Sequence, residues 1–370
     1  MNGPAAQPRD ATELAAELRK ALVTELVADG SLPDPAWQAA FTAVPRHLLV
    51  PRFYAQPGYR LVDSTRVEDR QEWLAAVYRD STLITQITPA SVTSSGTMPS
   101  LVAAMLHDLD VADGHRVLQV GTGTGYTAAL LCHRLGDHLV TSIDIDPGLC
   151  TAARKRLAAA GYHPLIGSGN GANGYPARAP YDRILATCGL TRVPPAWLAQ
   201  TRPGGKILAP IASGLALLEV DGDRAAGRFL SGAYFMPLRG TAATRPGPAP
   251  HSPAEPAGPS RQANLPSTAV YDGPFRFHLS IALPSLSYAN GGNDLADLYL
   301  SHPDGSRAHI TPAGTVTQNG PRRLWDEVEA AHSEWEHLGK PSYDAYLLTI
   351  RHDQQLVRLD TDHIWQLPAA

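Results

Sequence analysis

Cysteine is scarce in this chain. Only Cys132, Cys150 and Cys188 occur among 370 residues, an odd number with no CxxC pair. That excludes a disulfide framework and a zinc site, so no metal is expected, and it points to a reducing compartment. Charge is scarce too: 18% of residues are charged and the formal net charge is -4, too weak a field to favour nucleic acid or an anionic membrane. No stretch approaches the roughly 20 apolar residues that a membrane helix needs. The N-terminus carries Asp10, Glu13 and Glu17 where a leader segment would be apolar. The expectation is a soluble cytoplasmic protein whose partner is a small molecule, peptide or protein. Its oligomeric state is left open.

What is present is apolar material, 44% of the residues, in a chain long enough for two domains or one domain with a substantial appendage. Residues 11–28 place Leu14, Leu18, Leu22 and Leu26 on one stripe, the pattern of an amphipathic helix. A second short helix is predicted over Trp37 to Val44, closed by Pro45. From Ser100 onward helical stretches alternate with short β-branched runs, RVLQVG, LVTSID, YDRILAT and GGKILAPI, as in a parallel sheet covered on both faces. Residues 241–266 turn abruptly to Pro, Ala, Gly and Ser, a linker composition. Residues 267–370 read as a smaller α+β region with hairpins and a helix containing Leu324, Val328, Ala331, Trp335 and Leu338.

The strongest local signal is the apolar strand Val117–Val120 running into Gly121-Thr122-Gly123-Thr124-Gly125 and then a helix. Glycines there admit dihedrals closed to other residues and let a ligand approach the backbone. The next strand, LVTSID, ends in Asp144. A carboxylate at that tip can accept hydrogen bonds from both ribose hydroxyls of a nucleoside. Asp146, just before Pro147, reads instead as a helix cap. A dinucleotide fingerprint would space its glycines GxGxxG to set a helix dipole under a pyrophosphate. Here the third glycine comes one position early, which disfavours a nicotinamide oxidoreductase and suits a nucleoside without phosphate.

These segments, in order, resemble the protein-L-isoaspartate O-methyltransferase family. The resemblance is carried by VPRHLLVP (44–51), SSGTMPSLVAAML, VLQVGTGTGYTAALL, GNGANGYP (169–176), APYDRILAT and GGKILAPI, and it covers about residues 35 to 240. It implies a Rossmann-like α/β methyltransferase fold that uses S-adenosylmethionine, with a smaller C-terminal α+β domain. The implied layout is an N-terminal helical region (1–78), the methyltransferase domain (79–240), the linker (241–266) and a C-terminal domain (267–370) that recognises substrate. By resemblance, Gly121, Thr122, Gly123, Gly125 and Tyr126 line the cofactor turn, Asp144 with Ile145 holds the ribose, and Gly169, Asn170 and Gly171 approach the adenine. Three positions depart from the family. Gln119 replaces an acid ending the first strand, Asn170 stands in a family GDG, and Thr97 and Ser95 take the places of the active-site serine and its preceding threonine. Both lost acids keep a hydrogen-bond acceptor, which suggests re-tuned cofactor binding.

Methylating a carboxylate requires no strong base, because the acceptor is ionised near neutral pH. The task is positioning it in line with the methyl donor. Hydroxyls of Ser94, Ser95 and Thr97 suit that task, although the same run also reads as a cap for the helix starting near Pro99. The preceding YRDSTLITQI segment is a candidate to close over the site, with Asp80 and Gln86 equally readable as turn residues. His47 reads as a packed, hydrogen-bonded histidine, His107, His133 and His138 as surface groups, and Cys188 as a small buried hydrophobe. The sequence also resembles actinobacterial relatives with C-terminal extensions that modify one aspartate of a ribosomally made peptide, through a methyl ester and then a succinimide. General isoaspartate repair and a non-catalytic peptide-binding module are the alternatives.

Overall fold

The computed structural model describes residues 11–89, 91–240, 256, 258–292, 294–352 and 354–368. They form two compact units, the first reaching Thr187 and including Gln200–Leu208, the second holding Cys188–Ala199 and the residues from Ala209 on. The first opens with helices α1 (Ala11–Ala28), α2 (Pro35–Ala43) and α3 (Arg46–Leu49). Leu22 and Leu26 of the expected stripe are buried, Leu14 and Leu18 half-buried. Helix α2 starts where the Asp34 carboxylate accepts from Ala36 N–H at 2.8 Å and stops before Pro45.

The N-terminal region is not purely helical, contrary to the reading of its sequence. Strands β1 (Arg52–Ala55) and β2 (Arg60–Asp63) form a hairpin, followed by α4 (Arg70–Val77), β3 (Leu83–Ile87) and β4 (Val92–Gly96). Together they make a four-stranded sheet ordered β2-β1-β3-β4. Phe53 and Val62 sit opposite one another and both are buried. That one cross-strand pair gives the hairpin an apolar face, too short a period-2 pattern to stand out in the sequence. The YRDSTLITQI segment is accordingly strand β3 with the turn before it.

Helix α5 (Pro99–Asp108) leads into the parallel sheet of the first unit. Its elements are β5 (Val117–Val120), α6 (Tyr126–Leu135), β6 (Val140–Asp144), α7 (Pro147–Ala159), β7 (Leu165–Ser168), β8 (Tyr181–Ala186) and β9 (Thr201–Ile211) as far as Leu208; α8 (Pro195–Gln200) falls in the second unit up to Ala199. Strands β9, β8, β5, β6 and β7 lie side by side in that order and pair in parallel. Every residue of β5, β6 and β8 is buried, as a sheet covered on both faces demands. The Rossmann-like expectation holds.

In the second unit β10 (Gly214–Asp221) and β11 (Arg224–Gly232) form a long hairpin. Strand β12 (Ser260–Gln262) lies inside the expected linker, whose residues 241–255 and 257 are outside the described residues. Then come α9 (Gly273–Ala282), β13 (Ser287–Gly291), β14 (Asp294–Ser301), β15 (Arg307–Ile310), β16 (Thr315–Asn319), α10 (Leu324–His337), β17 (Leu347–Arg351), β18 (Gln354–Arg358) and β19 (Ile364–Gln366). Strands β10, β11, β17, β18 and β19 neighbour one another in sequence order. The antiparallel sheet β12-β16-β15-β14-β13 packs Leu298, Leu300, Ile310 and Val316 with Phe275, Trp325, Val328 and Trp335 of the helices in one core. No helix among the described residues is long and apolar enough to cross a membrane.

Candidate active site

The glycine turn after β5 is held by fixed partners. Gly121, Gly123 and Gly125 have φ of 99°, 51° and 92°, so all three need the left-handed freedom of glycine. A Cβ on Gly121 would lie 2.7 Å from Thr187 Oγ1, and one on Gly125 3.3 Å from Leu157. The Gly121 carbonyl accepts from Thr187 Oγ1 at 2.7 Å and from Gln119 Nε2 at 2.9 Å. Beneath the turn, Ser142 Oγ donates to Gln119 Oε1 at 3.2 Å and lies 2.7 Å from Thr122 Oγ1. Gln119 is 1% exposed and braces the loop from inside. Its amide donates to a carbonyl, which an ionised acid at that position cannot do.

Asp144 ends β6 beside this turn. Its Oδ2 accepts from Gly123 N–H at 3.0 Å and its Oδ1 from Asp146 N–H at 3.1 Å. Each carboxylate oxygen has two acceptor sites, so both retain capacity for a hydroxyl after orienting the side chain. Ile145 is half-buried next to it. Asp146 caps α7, accepting from Gly148 and Leu149 N–H. Past β7, Gly169 N–H donates to the Asp144 carbonyl at 2.9 Å, drawing Gly169-Asn170-Gly171 to the same end of the sheet. Asn170 Oδ1 accepts from Ala172 N–H at 2.9 Å, so this oxygen shapes its own turn.

The hydroxyl run sits against the glycine turn from the other side. A Cβ on Gly123 would come within 3.7 Å of both Ser94 Oγ and the Ser95 carbonyl. Ser94 is 3% exposed and accepts from Thr85 Oγ1 at 3.0 Å. Ser94 and Ser95 are consecutive in β4 and so point to opposite faces. The structure therefore does not bring both hydroxyls to one spot. Thr97, beyond the strand, is half-buried. None of the three caps α5: Met98 is its N-cap residue, and Asp80 Oδ1 accepts from Ser100 N–H at 2.8 Å. That corrects both the capping reading of the run and the plain turn reading of Asp80. Gln86, likewise no mere turn residue, lies in β3, donates to Asp146 Oδ2 at 3.0 Å and accepts from Thr93 Oγ1 at 2.8 Å.

Tyr126 is placed differently from the other turn residues. It is 6% exposed and its ring meets Phe41 edge-on at 6.0 Å and the Arg46 guanidinium at 5.4 Å. Burial pushes its phenol well above the usual tyrosine range. Its side chain is thus engaged in packing against the N-terminal helices. His47 is packed as expected, with Nδ1 2.6 Å from Tyr78 Oη, and burial lowers its pKa. His107, His133 and His138 are exposed. Cys188 is half-buried, not buried, because it follows the last fully enclosed residues of β8. Thr187, Ser142 and Arg46 were not singled out from sequence; only the position of Thr187 straight after a buried strand could have flagged it.

Comparison with known proteins settles the family. The family profile described as Protein-L-isoaspartate(D-aspartate) O-methyltransferase (PCMT) matches residues 60–238. The protein-L-isoaspartate O-methyltransferase of Methanosarcina mazei is 34% identical over 200 residues, covering 53% of this chain and 71% of the relative. Protein-L-isoaspartate O-methyltransferase 1 of Archaeoglobus fulgidus is 32% identical over 234 residues, covering 62% and 97%. The chain belongs to the protein-L-isoaspartate O-methyltransferase family. A solved structure of a protein-L-isoaspartate O-methyltransferase shares the fold, with a TM-score of 0.54 at 20% identity over 93% of this chain and 100% of the other.

A protein-L-isoaspartate O-methyltransferase is an S-adenosylmethionine-dependent enzyme, which sets aside the oxidoreductase and non-catalytic readings. The residues present fit that cofactor: the Asp144 carboxylate beside the turn accepts one backbone N–H on each oxygen and keeps acceptor capacity for hydroxyls. A phosphate-free ligand needs no helix dipole beneath it.

Proposed function

We propose that this methyltransferase esterifies the side-chain carboxylate of an aspartyl or isoaspartyl residue in a peptide or protein. One observation carries the reading: the glycine turn lies between the Asp144 carboxylate, bonded to Gly123, and the hydroxyl-bearing strand, within van der Waals reach of Gly123. In this reading Gly121, Thr122, Gly123 and Gly125 line the donor, Asp144 and Ile145 hold its ribose, and Gly169, Asn170 and Gly171 face its adenine. Gln119 and Tyr126 support the turn. S-adenosylmethionine supplies an electrophilic methyl group. The protein orients the acceptor: Thr97, with Ser95 or Ser94, hydrogen-bonds one carboxylate oxygen without protonating it, which leaves the other in line for attack.

The finer part of the proposal is that the acceptor is a chosen aspartate of a ribosomally made peptide, bound by the C-terminal region in the cytoplasm. Once the ester forms, the backbone nitrogen of the next residue attacks its carbonyl carbon, methanol leaves with the amide proton, and a succinimide results. Water then opens the ring to isoaspartate. Thr97, with one methyl more than the family serine, and the acid-to-amide changes at Gln119 and Asn170 support a specialised enzyme. General isoaspartate repair is the second reading, favoured by the 93% coverage of this chain by a single solved relative, which takes in much of the C-terminal region. Incubation with labelled S-adenosylmethionine and two peptides, one isoaspartyl and one a constrained aspartyl sequence, tests the choice. Label in the aspartyl peptide is expected, and label confined to the isoaspartyl peptide overturns the specialised reading in favour of repair.

A further inference from the structure

Arg46 is an anomaly by its surroundings. It is 1% exposed, a rare condition for an arginine unless it is paired. Among the described residues no carboxylate forms an ion pair with it. Its Nη1 donates to the carbonyl of Val77, the last residue of α4, and its Nη2 to the carbonyl of Thr97 at 3.2 Å. Nε has no partner. The Asp80 carboxylate acts on it from a distance and is itself engaged with the first turn of α5. The Tyr126 ring lies against the guanidinium at 5.4 Å, and a Cβ on Gly96 would be 3.8 Å from Nη2. A whole positive charge therefore lies directly beneath the Gly96-Thr97 end of the hydroxyl strand. Carbonyl dipoles solvate it, and among the described residues no carboxylate lies within ion-pair distance of it.

Burying an ion without a counter-ion costs stability, and among the described residues only the carbonyls of Val77, Arg79 and Thr97 accept from it. An anion arriving nearby would complete the pairing that the charge lacks. Resting on the acceptor reading above, we propose that Arg46 is a positioning residue for the reaction. It pins the Thr97 backbone so that the hydroxyl keeps its place, and its unpaired charge favours a carboxylate over an isosteric carboxamide at that end of the strand. The neutral competitor is abundant, because every asparagine and glutamine of a peptide presents one.

The test compares the full-length protein with Arg46→Gln and Arg46→Lys in the presence of S-adenosylhomocysteine. Each binds an isoaspartyl peptide and the same peptide carrying the side-chain carboxamide. A charge at short range across a partly buried site is worth roughly tenfold in affinity. R46Q should therefore lose about that factor for the carboxylate peptide while its affinity for the carboxamide and for S-adenosylhomocysteine stays, and R46K should restore most of the preference. In turnover, R46Q should raise KM far more than it lowers kcat. Equal loss for both peptides, or a preference that survives in R46Q, overturns the assignment. Should R46Q fail to fold, the salt dependence of the wild-type preference decides. A buried charge is weakly screened, so persistence in high salt supports the assignment and disappearance overturns it. Wild type that methylates neither aspartyl nor isoaspartyl peptide overturns the acceptor reading itself, separately from the role of Arg46.

Discussion

Gln86 Nε2 donates a 3.0 Å hydrogen bond to Asp146 Oδ2, joining residues 60 apart in the chain. It fastens β3 to the cap of α7, and through Thr93 Oγ1 it also holds β4. The strand that carries Ser94 and Ser95 is thereby registered on the end of β6 where Asp144 stands. Replacing Gln86 with Leu removes both bonds but leaves the glycine turn untouched. We expect a loss of about 1 kcal/mol in stability and a fall in kcat/KM of roughly tenfold or more from misplaced hydroxyls. Equal kinetics for mutant and wild type would show that the hairpin keeps its place without this bond.

Asp144 organises its surroundings and holds acceptor capacity in reserve, so two substitutions separate the roles. Asp144→Asn keeps one acceptor and Asp144→Ala keeps none. Hydrogen bonds to charged groups contribute about 1.5–3 kcal/mol, so S-adenosylmethionine affinity measured by calorimetry should fall roughly 10- to 100-fold in D144N and further in D144A. An unchanged dissociation constant in D144A would remove Asp144 from the cofactor site.

Gly121→Ala faces two costs, a φ of 99° and a 2.7 Å approach to Thr187 Oγ1. Thr187→Ala relieves only the second, while also removing the Thr187 hydrogen bond to the Gly121 carbonyl. Each cost is of order 1–2 kcal/mol, so chemical denaturation should show G121A costing less in the T187A background, measured against T187A itself, than in the wild type. An equal cost in both backgrounds would show that backbone strain alone decides.

Thr97→Val keeps the shape and removes the hydroxyl. Single-turnover methylation of a peptide acceptor should slow by roughly tenfold or more, in line with one lost oriented hydrogen bond, while S-adenosylmethionine binding stays level. Thr97→Ser should retain the rate. Full activity in T97V would move the acceptor contact to Ser94 or Ser95.

His278 supplies a pH prediction in the second unit. It is 0% exposed, its Nδ1 lies 2.9 Å from Tyr346 Oη and its Nε2 has no partner. Burial, with a smaller contribution from His363, pushes its pKa down from 6.5 to about 4. The unfolded chain thus takes up a proton near pH 6.5 that the folded chain refuses until about pH 4. Its contribution to stability is complete above pH 6.5 and drains away between 6.5 and 4, by up to about 3 kcal/mol. Urea titrations at pH 7, 5.5 and 4.5 should show this slope. His278→Gln, which still offers Tyr346 an acceptor, should flatten it, and an equal slope in both proteins would assign the acid sensitivity elsewhere.

Much of the site was legible locally. The apolar strand, the three glycines and Asp144 at the next strand tip are short-range patterns, and hydrogen bonding dictates each residue type where it stands. Thr97 and its serines were found from their resemblance to a family motif. Gln119 was read as a lost charge facing the cofactor, whereas its amide braces the Gly121 carbonyl from within. The hairpin of β1 and β2 went unseen because Phe53 and Val62 make a single buried pair.

By itself, then, the order of residues determined a parallel α/β sheet with a glycine turn and an acid at its carboxyl end, since apolar strand runs, glycine positions and an acid at a strand tip are patterns of neighbours along the chain. Tertiary structure alone decided that Thr187 stands where the Gly121 side chain would be, that Ser94 and Ser95 part to opposite faces beside Gly123, and that an unpaired arginine lies beneath Thr97. Each of these joins segments dozens of residues apart, and what brings them together is the burial of apolar surface over the whole fold, which no local pattern contains.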